Sequence, residues 1–176
     1  MNSFPAGIDA HQHYWRYDPQ VDGWIDPSGP IARDFMPEDV RAAMARAGIG
    51  RAVAVQARSS EEETGFLLDL SARGEPIAGV VGWLDLTASD LEQRIARFRN
   101  RGRLVGLRHI VQSEPDGFLL RDEVVRGVRA ALAAGLAYDI LVYPRQFGDV
   151  IRFLDRVGEE RLVLDHGGKP PIAGAG

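Results

Sequence analysis

Residues 7–15 read Gly7-Ile8-Asp9-Ala10-His11-Gln12-His13-Tyr14-Trp15, and this stretch decides between two architectures. Residues 7–10 form a short, largely apolar run, which predicts a first β-strand. A strand that opens a dinucleotide-binding open sheet runs into a Gly-x-Gly-x-x-Gly turn, because the pyrophosphate needs close backbone approach there. Two histidines stand at that place instead. The expected class is therefore α/β, of the (β/α)8 TIM-barrel type.

The rest of the chain supplies the alternation a barrel needs. Strands are expected at 51–56, 77–84, 104–111, 137–143 and 161–165, and helices at 36–47, 61–73, 89–100, 121–134 and 147–157. Pro37 stands at a helix start, Gly48, Gly74, Gly102 and Gly135 follow helix ends, and Ser89 with Glu92 reads as a capping box. The strands are nearly continuous apolar runs, which suits a parallel sheet covered on both faces. A loop rich in Pro, Gly and Asp joins the first strand to the first helix, from residue 17 to about 33. Six βα units fit this pattern, whereas a complete barrel takes about 250 residues. The expectation is one barrel domain over 1–176, lacking its C-terminal portion, with open first and last strands that need a partner, such as a second copy.

Composition excludes several classes. The chain has 176 residues, 45% hydrophobic and 26% charged, with a net charge of -4. This balance lacks the basic excess of a nucleic-acid binder. There is no cysteine, so disulfides and thiolate–metal sites are out, and any metal must use imidazole or carboxylate ligands. No run reaches the roughly 18 apolar residues of a membrane span, and the first residues lack a signal-peptide pattern. No membrane partner and a cytoplasmic location are expected.

The histidines point to the chemistry. All four, His11, His13, His109 and His166, fall at or just past the C-terminal end of an expected strand, the edge where barrel active sites sit. On an extended strand His11 and His13 share a face, so both rings can converge on one ion. His166 follows a strand and precedes Gly167-Gly168, which permits a sharp turn. Of the neighbours Arg108 and His109, alternation allows only one to face inward, and the period leaves open which. Asp9 and Asp165 are expected to face away from the adjacent histidines. Trp15, Gln56, Trp83, His109 and Tyr143 are candidate substrate contacts; Asp85, Arg145 and Gln146 also fall at strand ends.

Four strings, IDAHQHYW (8–15), GLRHIVQSEPD (106–116), YDILVYPRQ (138–146) and LVLDHGGKP (162–170), resemble the amidohydrolase superfamily. The chain is most similar to its sugar-lactonase group, and more distantly to pyrone-dicarboxylate lactonases. The resemblance implies a distorted (β/α)8 barrel and hydrolysis of a small-molecule lactone. It implies His11, His13 and His166 as the catalytic and metal-ligand histidines, and Arg108 as the arginine on the lactone carbonyl. A divalent metal, zinc by expectation, serves some members, and others work without one. The family also places an Asp after the eighth strand, in a Gly-Ser-Asp-Trp-Pro-like string that residues 1–176 do not contain.

Overall fold

The computed structural model describes residues 7–74, 76–158 and 160–174; the first six of the residues read for a signal peptide lie outside this range. Six strands form one sheet in sequential order, β1 (Gly7–Gln12), β2 (Ile49–Val55), β3 (Ile77–Gly82), β4 (Leu104–His109), β5 (Ala137–Ile140) and β6 (Leu162–Leu164). Every neighbouring pair is parallel. Five helices alternate with them, α1 (Pro37–Arg46), α2 (Glu61–Ala72), α3 (Leu91–Arg99), α4 (Asp122–Ala133) and α5 (Phe147–Val157). The result is a curled part-barrel with β1 and β6 at its edges, as the alternation predicted.

The core lies between the convex face of the sheet and the helices. Leu67 and Leu68 of α2, Val124 and Val128 of α4 and Phe153 of α5 are fully buried there against Ala54, Val80 and Tyr138. Tyr138 and Phe153 rings meet at 6.1 Å. The concave face is open: Val53, Val81, Val105, Ala137 and Val163 line it, and Val105 and Val163 stay 39% and 47% exposed.

Two sequence expectations need correction. Ser89 does not cap α3; Asp90 takes the N-cap place without a side-chain cap bond, because its carboxylate instead accepts from Arg94 Nε at 2.7 Å. Strands 3, 4 and 5 end earlier than their apolar runs, since the chain turns toward the site: β4 stops at His109, and Val111 opens a 3-10 turn.

A β-bulge lies in β4. Val80 pairs with Leu104, but Val81 pairs with Gly106, so one extra residue, Val105, is inserted on that strand. A one-residue insertion reverses which side chains face which side of the sheet beyond it. Counted from the core-facing Leu104, strict alternation would send Arg108 outward and His109 inward. With the bulge, Arg108 pairs with Asp139 on the concave side and His109 with Ile140 on the core side.

Gly127 of α4 shows how tightly the layers meet, since a Cβ there would collide with the Leu86 carbonyl. Glycine to alanine inside a helix ordinarily stabilises, but Gly127→Ala is expected to lower stability by about 1–3 kcal/mol through overpacking. Gly148 of α5 has open space around its Cβ position, so Gly148→Ala should be neutral or stabilising by up to about 1 kcal/mol. Urea unfolding of the two variants checks the opposite signs.

Candidate active site

The C-terminal ends of β1, β4 and β6 deliver their polar side chains to one place. His11 Nε2 and His13 Nε2 lie 3.2 Å apart, and the His11 and His166 rings are 4.8 Å apart at their centroids. One ligand atom each from His11, Asp165 and His166 fall within 4.8 Å of one another. Arg108, 4% exposed, donates from Nη1 to Asp165 Oδ2 at 2.9 Å and from Nη2 to the Gln56 carbonyl. His13, Arg108 and His166 open onto a cavity of about 530 Å³ whose lining also includes Trp15, Trp24 and Lys169.

The histidine tautomers follow from their partners. His13 Nδ1 lies 2.8 Å from the Val55 carbonyl oxygen, an acceptor, so the proton sits on Nδ1 and the Nε2 lone pair is free. Burial pushes the His13 ring down to about 4, against the pull of that carbonyl, so it is neutral near pH 7. His11 Nδ1 faces Asp165 Oδ1 at 3.6 Å, which favours the proton on that side. Two imidazole lone pairs therefore converge across 3.2 Å, close to the roughly 3.3 Å edge of a tetrahedron with bonds of about 2.0–2.1 Å. Arg108 Nη1 approaches the same His11 nitrogen at 3.4 Å. The donor set, imidazole nitrogens backed by a carboxylate, fits a divalent ion such as zinc.

Asp165 reaches the site, contrary to the expectation that it faces away. β6 ends at Leu164, and Asp165 continues its alternation from the concave-facing Val163. His166 then adopts φ 52 and Gly167 φ 58, a left-handed turn that swings the His166 ring back toward His11. Burial pushes the Asp165 carboxyl up, but hydrogen bonding with His11 and Arg108 outweighs it and holds the group below the usual carboxylate range. Asp9 stays local, accepting the His11 N–H at 3.0 Å.

The candidate substrate contacts divide. Trp15 lines the cavity. Gln56 is fully buried, and its side chain donates to the Arg108 carbonyl at 3.3 Å, so it braces the arginine from behind. Trp83 and His109 do not line the cavity. Trp83 Nε1 donates to His109 Nδ1 at 3.0 Å, His109 Nε2 lies 2.9 Å from Glu114, and Phe118 stacks on the ring at 4.6 Å, a chain that anchors the loop after β4. Tyr143 is 42% exposed, with Lys169 Nζ 5.4 Å above its ring. Asp85 bonds Thr87, Arg145 pairs with Asp116, and Gln146 donates to the Val111 carbonyl.

Sequence reasoning missed Asp139, Lys169 and Trp24. Asp139 is a charged residue inside an otherwise apolar strand, and Lys169 is the chain's single lysine; both were legible signals. Lys169 Nζ donates to Gln112 Oε1 at 2.5 Å across the cavity. Asp139 lies on the concave side beside His11 and Asp165.

Burial, reinforced by the Asp165 charge and opposed by Arg108 and His11, pushes the Asp139 carboxyl up to about 6. The folded chain therefore holds a proton that the unfolded chain releases near its ordinary value of 3.8. This stabilisation is complete below about pH 4 and is lost as pH rises through about 6. Asp139→Asn should flatten that decline and leave the variant about 1–3 kcal/mol more stable at pH 7. Urea unfolding across pH 4–8 measures it; a variant weaker at pH 7 would show that the Asp139 charge is well paired.

Comparison with known proteins agrees with the geometry. The amidohydrolase family model matches residues 8–176. An L-fucono-1,5-lactonase of Burkholderia multivorans is 43% identical over 169 residues, covering 94% of this chain and 57% of that protein. A second, from Burkholderia ambifaria, is 39% identical, covering 94% and 58%. The chain thus spans less than three-fifths of the length of these relatives. A crystal structure of an amidohydrolase from Burkholderia multivorans with bound zinc superposes with a TM-score of 0.88 at 42% identity, over 93% of this chain and 58% of that one. With the barrel topology, the strand-end histidines and a family match over nearly all of its length, the chain belongs to the amidohydrolase family.

Proposed function

We propose that this chain carries the histidine and arginine portion of the active site of a sugar-lactone hydrolase acting on a lactone such as L-fucono-1,5-lactone. The observation that carries the reading is the cluster of His11, His13, His166 and Arg108: His13, His166 and Arg108 line one cavity, and behind them His11 Nε2 lies 3.2 Å from His13 Nε2. The names of the relatives support the substrate class.

His11, His13 and His166 would hold a divalent ion, zinc by preference, with Asp165 as a fourth group or as the carboxylate behind His11. Such an ion supplies Lewis-acid polarisation of the lactone carbonyl and lowers the pKa of a bound water from 15.7 toward about 7. Arg108 contributes a fixed positive charge at the cavity wall. Asp165 and the Gln56 carbonyl hold its guanidinium in place, so it is oriented before the carbonyl oxygen gains charge in the transition state. Both Asp165 oxygens face cationic or N–H partners, which makes Asp165 an orienting group and a poor proton acceptor. The acceptor for the attacking water's proton, in the whole protein, is the aspartate that the resemblance assigns to the eighth strand.

In the protein that carries this chain, Arg108→Met is expected to lower kcat/KM for the lactone by about 10²–10³-fold. Treatment with a chelator should lower turnover at least tenfold, with recovery on adding zinc. Lactone hydrolysis that survives chelation unchanged would favour the metal-free route, in which Arg108 alone polarises the carbonyl. No lactone hydrolysis by the untreated protein would overturn the reading.

A second reading concerns the chain on its own. Ile8 on β1 and Val163 and Leu164 on β6 are 51%, 47% and 46% exposed, at edges that have no strand partner among the described residues. Exposed apolar edge strands invite pairing, so the isolated chain is expected to sediment as a dimer or larger, and Val163→Lys with Leu164→Lys should shift it toward monomer.

A further inference from the structure

The loop between β1 and α1 carries a tryptophan that the proposed chemistry does not use. Trp24 is 64% exposed, yet its neighbours are anchors: Asp22 is 2% exposed and Ile25 3%. Asp22 forms a two-pronged ion pair with Arg58, at 2.8 Å to Nε and 2.6 Å to Nη2. Arg58 Nη2 also donates to the Arg16 carbonyl at 2.7 Å. The Ile25 N–H closes the turn on the Asp22 carbonyl at 2.8 Å. Farther along, Trp15 and Phe35 exchange backbone hydrogen bonds at 3.0 and 2.9 Å and pack ring on ring at 4.6 Å.

A loop fixed on both sides of one residue does not leave that residue free to tuck its indole away. Holding an indole in water forgoes the gain from burying it, and here the exposed ring is a wall of the cavity that also contains His13, Arg108 and His166. Saturated six-membered sugar rings present a face of C–H bonds, positively polarised, and the negative face of an indole attracts them. The lining also includes Ile110 and Leu141, which offer apolar contacts to such a ring, and Gln112 and Lys169, which offer hydrogen bonds.

We propose that Trp24 is a specificity-determining residue that receives the C–H face of a sugar lactone and seats it over the histidines. This rests on the lactonase reading of the site. Trp24 touches the ring and not the scissile carbonyl, so its loss acts on binding and leaves the chemical step intact.

The test compares the parent protein with Trp24→Ala and Trp24→Phe on L-fucono-1,5-lactone and on a methyl ester of a short acyclic hydroxy acid. The expected result for Trp24→Ala is a KM about tenfold higher for the lactone with kcat within twofold. The acyclic ester should be unaffected, and Trp24→Phe should recover most of the loss. Equal KM in parent and Trp24→Ala, or an equal loss on the acyclic ester, would overturn the proposal. Tryptophan fluorescence titrated with the ring-opened acid and with the six-membered lactam analogue supplies an independent readout. If the parent hydrolyses no lactone, the lactonase reading fails by itself. Fluorescence change on lactam binding that disappears in Trp24→Ala would then still support Trp24 as the ring-binding residue, and its absence in the parent would sink it.

Discussion

The Arg108–Asp165 ion pair, 2.9 Å long with both partners under 5% exposed, is the contact on which the rest of the site depends. A buried guanidinium without partners is strongly destabilising, and breaking such a pair leaves an uncompensated charge. The structure meets this requirement by drawing four strand ends to one point. Arg108 comes from β4, its carboxylate partner from the end of β6, a carbonyl from Gln56 just past β2, and the His11 ring from β1. The barrel's curvature and the site are thus two descriptions of the same set of contacts, because strands that diverged would strand the arginine.

Around that pair, the side chains sort by what they brace. Gln56 and Asp165 hold the arginine, the Val55 carbonyl fixes the tautomer of His13, and Trp83, His109, Glu114 and Phe118 tie down the loop after β4 that brings Ile110, Gln112 and Ser113 to the cavity. The loop after β1 is fastened by Asp22 and Arg58 to the loop after β2. Positioning chemistry on loops gains precision when the loops are cross-tied in this way. Arg58 and His109 therefore brace the cavity's surroundings without lining it.

The concave face carries a different balance. Val105 and Val163 on it are 39% and 47% exposed, and Asp139 sits on the same face beside His11 and Asp165. A carboxylic acid in that setting resists ionisation because burial and a neighbouring negative charge both penalise the anion. It separates two regions of one sheet face: an apolar lower part, and an upper part where cations, imidazoles and carboxylates meet. Among the described residues, no helix is long and apolar enough to cross a membrane.

Much of this was readable in the chain. Six apolar runs alternating with glycine-terminated helical runs dictate parallel βα units, because each pattern can bury its apolar side only by packing on the other. The His-x-His spacing places two rings on one face of a strand, and the histidines' fall at strand ends marks the functional edge of the sheet. What only the tertiary structure decided are the points where local periodicity is broken. The bulge at Val105 reverses the facing of β4, so Arg108 enters the site and His109 leaves it. The left-handed turn at His166 and Gly167 brings two adjacent residues, Asp165 and His166, to the same point, which no extended strand allows. Both are backbone irregularities compensated by contacts far apart in sequence, the Arg108–Asp165 pair above all. A one-dimensional pattern contains no term for such contacts, and so alternation left Arg108 and His109 undecided and turned Asp165 away from the site it reaches.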